Sequence, residues 1–148
     1  MQFTFRLATL LRLRESTRDE RRNHLALAYR AETMVLEELA DVEGQIESLR
    51  RRVHAAVRPG EIEVDALIGA QRFDVVLKAR KQHALQQHEL VKSEIERRRL
   101  ALVEADREVK ILEKLRERHH DRWAAEENLQ DIKRIDEIAG RRRIEEDG

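Results

Sequence analysis

Residues 25–56 read LALAYRAETMVLEELADVEGQIESLRRRVHAA. Leu25, Ala28, Glu32, Val35, Leu39, Val42, Ile46, Leu49, Val53 and Ala56 follow one another in alternating steps of three and four, and nine of these ten residues are apolar. This is the a/d seam of a coiled coil. It predicts an all-α chain in which a long helix buries one stripe against a second helix and exposes the rest. A structure two helices thick encloses no substrate, so the expected function is binding, spacing or assembly rather than catalysis.

Outward from the seam, the strongest break is Val57-Arg58-Pro59-Gly60. Proline does not continue a helix and glycine tolerates left-handed geometry, so a turn is expected over residues 57–64. Asp65 is a candidate N-cap for the second helix. Heptad spacing resumes at Leu77, Ala84, Val91, Ile95, Leu102, Ala105, Val109 and Leu112, with polar intrusions at Lys81, His88 and Arg98. Gly140 is the expected stop. The chain thus predicts one coiled-coil domain over residues 1–148, with a helix over 3–56, a helix over 65–139 and a frayed polar tail over 140–148. To bury both seams the helices fold back antiparallel as a helical hairpin. At about 1.5 Å per residue the arms run ~80 Å and ~110 Å, so the second overhangs the first. Folding at Pro59-Gly60 sets Leu49 near Phe73, Leu39 near Ala84, Ala28 near Ile95 and Leu11 near Leu112. Glu32 falls near His88 and Lys92. It reads either as a polar layer that fixes register or as a side chain bent out to water.

Charged residues make up 41% of the chain and aromatics 3%, against about 25% charged in globular proteins. The excess suits a thin structure, and the sustained heptads argue against disorder. Thirty bases balance thirty acids, whereas a nucleic-acid binder usually carries a basic surplus or face. The arginine triplets at 50–52, 97–99 and 141–143 all have acids nearby and read as solvated faces. There are no cysteines, which excludes disulfides and thiolate metal sites. No apolar run approaches the ~20 residues of a membrane span. Residues 1–14 are basic and amphipathic, but Arg6 and Arg12 interrupt any secretory core and helix periodicity continues past Glu15, against a cleaved signal.

Catalytic patterns fail on spacing. His88-Glu89 begins like a zinc-protease motif, but Lys92 stands where the second histidine is needed. His83 and His88, five apart, do not share a helical face. No phosphate-binding glycine loop and no nucleophile constellation are present, and no cofactor or metal is expected. Two features bear on partners instead. Residues 14–24 (RESTRDERRNH) hold no large apolar side chain, yet they face Leu102, Ala105 and Val109. That stripe is either open to a partner or covered by arginine stems. Trp123 falls at the start of the overhang, where the first arm is not expected to cover it. Tyr29 reads as a flank of the seam.

Three segments resemble the flagellar export proteins of the FliJ family. They are Phe3-x-Phe5-Arg6-Leu7-x-x-Leu10-Leu11-Arg12-Leu13-Arg14-Glu15, then Lys110-x-Leu112-Glu113-Lys114-Leu115-Arg116-Glu117-Arg118, and finally Asp136-Glu137-Ile138-Ala139. The resemblance implies a non-enzymatic, antiparallel two-helix coiled coil, similar to the central stalk of rotary ATPases. It implies a cytoplasmic protein peripheral to the inner membrane, with three partners: the export ATPase hexamer, the export-gate protein FlhA and export chaperones. The equivalent stalk of an injectisome, a generic coiled-coil scaffold and, more distantly, a nucleic-acid binder are the rivals. Residues 1–24 carry six arginines against three acids, a net charge of +3, suited to steering towards an acidic channel. On these grounds Arg6, Arg12, Arg14, Leu112 and Trp123 are the candidates for the ATPase-facing end. The family's gate-binding patch near the turn maps best onto Phe73 and Leu77, with Val42 and Leu49 opposite as seam residues.

Overall fold

The computed structural model describes residues 1–57 and 60–148. Two long helices, α1 (Ala8–Ala56, 49 residues) and α2 (Val64–Glu146, 83 residues), pack against each other, the second being the longer. Both are built from strong helix formers (Leu, Ala, Arg, Glu and Lys) with apolar residues at heptad spacing, so propensity and seam agree. The expected proline of the turn, Pro59, lies outside the described residues. Gly60 has φ +109°, a left-handed conformation that glycine adopts without a Cβ clash. Asp65 sits in the first turn of α2, where its charge faces the helix N-terminus favourably.

Both outer helix ends differ from expectation. The first helix starts at Ala8 rather than at residue 3. The Ala8 N–H donates to the Phe5 carbonyl at 3.2 Å, which closes a turn ahead of α1. The reason lies in Phe3-x-Phe5. On an extended segment residues two apart point the same way, whereas on a helix they diverge. Leaving residues 1–5 non-helical therefore lets both rings turn towards α2. At the other end, α2 continues through Gly140 to Glu146, so residues 140–146 are helix and not a frayed tail. A glycine costs a helix only about 1 kcal/mol relative to alanine. The acids Glu145 and Glu146 also lie four residues beyond Arg141 and Arg142, a spacing that places opposite charges on one face.

The chain divides into two compact units, residues 20–102 and residues 1–19 with 103–148. In the first, the turn unit, Ala28, Val42, Leu77, Ala84 and Ile95 form the buried core, with Val42 and Leu77 fully buried. Leu25, Val35, Leu39, Ile46, Leu49 and Val53 are half-buried beside them. The helices are antiparallel, because contacts from α1 residues of falling number reach α2 residues of rising number: Glu43 to Lys81, Glu32 to His88, His24 to Arg98. In the second, the terminal unit, Phe5, Leu11, Val109 and Leu112 make the buried cluster, with Phe3, Leu7, Ala8, Leu10 and Leu115 packed on it.

Candidate partner-binding surfaces

In the turn unit the polar intrusions of α2 all find partners on α1. The Glu32 carboxylate lies 3.5 Å from His88 Nε2, and both side chains are largely covered. Lys92 turns instead to Glu89 on its own helix, at 2.7 Å. Lys81 Nζ lies 3.6 Å from Glu43, and Arg98 donates to the His24 carbonyl at 2.6 Å while also holding Glu94. Arg80 donates to Glu38 at 2.6 Å with Asp41 at 3.8 Å. The hydrogen bond to Glu38 and its charge raise the Arg80 pKa above its ordinary value. One sequence feature behind this pattern is easy to overlook. Residues 31–49 carry six acids and no base, while residues 72–92 carry five Lys or Arg against two acids.

Of the gate candidates, Leu77 is fully buried and Phe73 is 45% exposed. Leu77 therefore belongs to the seam with Val42, and only Phe73 is open to a partner. Around Phe73, Ile68, Val75 and Val76 are also exposed. Two open apolar grooves of about 780 and 340 Å³ share Leu49, Val53, Leu67 and Ala70, and Phe73 lines the smaller one.

In the terminal unit the candidates separate by depth. Arg6 and Arg12 are exposed. Arg14 is tied to Glu108 at 3.0 Å. Leu112 is buried in the core, because it occupies a seam position, so it is unavailable to a partner. Trp123 was expected to lack an intramolecular partner. Instead it is half-buried, with the Phe3 ring at 5.9 Å and His120 at 5.8 Å. The non-helical entry carries Phe3 that far along α2. The expected gap opposite residues 14–24 is closed as well: Ala105 and Val109 are buried and Leu102 is half-buried. Arg14 reaches across to α2, and the Arg18 side chain keeps only 23% of its exposure. Arginine stems cover an apolar stripe in this way while their charged ends stay wet.

Past Trp123 the surface changes character. Leu129, Ile132, Ile135 and Ile138 are 58%, 49%, 64% and 57% exposed. Ala125, Ile132 and Ala139 stand seven apart with Ile135 between, a seam-like spacing that the sequence reading passed over and that could have flagged this segment.

No helix is long and apolar enough to cross a membrane among the described residues. Arg97, Arg98 and Arg99 are engaged by Glu94 and Glu96, as a solvated face would have them. The family model described as flagellar FliJ protein matches residues 2–147. The chain belongs to the flagellar FliJ family. It is accordingly a non-enzymatic component related to flagellar export. Comparison with curated proteins gives no match, and comparison with solved structures gives none. Within this FliJ-family chain Phe73 and the Leu129–Ile138 stretch of α2 are exposed, whereas Leu77 and Leu112 are buried.

Proposed function

We propose that this FliJ-family chain is a stalk and escort component of the flagellar type III export apparatus. In this reading its terminal unit engages the export ATPase hexamer, its turn unit contacts the export gate FlhA, and it accompanies export chaperones at the cytoplasmic side of the inner membrane. The observation that carries the ATPase contact is the unpaired apolar series Leu129, Ile132, Ile135 and Ile138, exposed on a helix that is otherwise highly charged. At steps of three these residues form a stripe of neighbouring apolar side chains that winds half-way round α2, and an exposed apolar stripe marks an interaction site. Arg6 and Arg12, exposed in the basic N-terminal segment, supply charge that orients the encounter. Trp123 borders this face, and Phe73 is the anchor proposed for the gate.

The test is a pull-down with purified export ATPase, paired with circular dichroism. Ile132→Asp is expected to abolish capture and to leave melting unchanged, because the side chain is half in water already. Phe73→Ala is expected to weaken FlhA capture alone. If Ile132→Asp binds the ATPase as the parent does, the α2 face is not the docking site.

A further inference from the structure

Residues 1–7 are held on α2 by two rings of unequal depth. Phe5 is 7% exposed, inside the cluster with Leu11, Val109 and Leu112, and its ring meets His119 at 5.8 Å. Phe3 lies nearer the surface, edge-to-face with His120 at 5.2 Å and tilted on Trp123 at 5.9 Å. The backbone hydrogen bonds of this segment begin at Phe5 and Leu7, which accept from Ala8 and Leu11. Among the described residues no hydrogen bond or ion pair joins residues 1–4 to α2. Beside the two rings runs an open groove of about 630 Å³, bordered by Ala8, Arg116 and His120.

We infer that residues 1–4 form a releasable strap hinged at Phe5: Phe3 leaves His120 and Trp123 while Phe5 stays in the core, and opening uncovers the Trp123 indole. The closed strap rests on the one half-buried ring of Phe3, which makes two aromatic contacts and packs on the edge of the buried cluster. Such contacts are individually small, so the open form is a minor state of about 0.1–10% that a partner can select. Phe5 keeps the strap attached in both states. The use of the uncovered indole by a partner rests on the proposed ATPase-facing role of this unit; the opening itself does not.

Trp123 is the single tryptophan of the chain, so intrinsic fluorescence of the full chain reports on the strap directly. In Phe3→Ala the emission shifts to the red and acrylamide quenching roughly doubles as the indole loses its aromatic cover, while helicity and melting stay as in the parent. Phe3→Tyr keeps the parent values. In the parent, mild warming below the helix transition moves the emission towards that of Phe3→Ala. The proposal is overturned if quenching in Phe3→Ala is unchanged, if Phe3→Ala melts early as a core variant does, or if the parent emission moves only together with the helix signal. The ATPase pull-down on Ile132→Asp tests the docking role separately, since Ile132 lies outside the strap.

Discussion

Between residues 20 and 102 the helices meet through small and aliphatic side chains, and ion pairs reach across at Glu38–Arg80 and Glu43–Lys81, with Glu32 beside His88. In the terminal unit Arg14 pairs with Glu108 across the helices. The contact there is made by Phe5, Leu11, Val109 and Leu112, with Phe3, His119, His120 and Trp123 beside them. Exposed ion pairs contribute little to stability, about 0–1 kcal/mol each, and because each of these two segments carries mostly one sign they favour this pairing over a like-charged one rather than fixing a single register. Buried apolar side chains contribute more to stability, about 1.5–3 kcal/mol for a large one. Both units thus rest on apolar burial, and the turn unit adds segregated charge that selects its partner segment.

The largest expected effect comes from Leu77→Asp. It places a carboxylate at a fully buried point of the turn unit, where burial of an unpaired charge costs several kcal/mol. Circular dichroism should show extensive loss of helix, and hydrogen exchange should show lost protection around Ala28 and Val42. Retained protection there would mean that charge alone holds this unit. Phe5→Ala comes next, at about 3–5 kcal/mol for a large side chain removed from a core. Urea unfolding followed by Trp123 emission should reveal it in the terminal unit. A loss near that of an exposed residue would erase the contrast between the units.

Glu32→Leu sharpens the comparison from the other side. Made together with His88→Leu, so that neither covered polar partner is left alone, it replaces the contact by apolar seam residues and is expected to raise stability by about 1 kcal/mol or more, measured as a higher urea midpoint. A fall in midpoint would make the Glu32–His88 pair a net stabiliser rather than a register device. The smallest effect concerns Glu94, whose carboxyl is held below the usual range first by the hydrogen bond from Arg97 and then by that from Arg98. A depressed carboxyl contributes stability above its unfolded value, about 4.3, and loses that contribution as pH falls through the folded value. Glu94→Gln should therefore melt slightly below the parent at neutral pH, and the difference should vanish on acidification. A gap that persists in acid would assign the effect to packing.

The hairpin was legible because its signal is long. The ten seam positions of 25–56 and the eight from Leu77 to Leu112 repeat often enough to outweigh local exceptions, and the juxtaposition of Glu32 with His88 followed from the fold-back alone. The helix ends were not legible in the same way. Phe3-x-Phe5 is a single alternation followed at once by strong helix formers, so its non-helical form is decided by its contacts with α2. The same cause hid the partner of Trp123. Among the candidate contact residues, Leu77 and Leu112 came from the family resemblance, yet both also stand in the heptad series at positions the partner helix covers. Arg6, Arg12 and Phe73 kept their exposure because they lie off that spacing. The Leu129–Ile138 face was written in the sequence, yet its meaning depends on where α1 begins.

The six acids of residues 31–49 have a consequence for how copies of this chain meet. Two α1 segments laid side by side would bring together a dozen carboxylates with no cation among them, an arrangement that like-charge repulsion disfavours. Residues 72–92 of α2 offer the opposite sign. A protein with no net charge is thus locally a polyanion and a polycation in turn, and residues 31–49 of α1 are repelled by their own kind and drawn to residues 72–92 of α2.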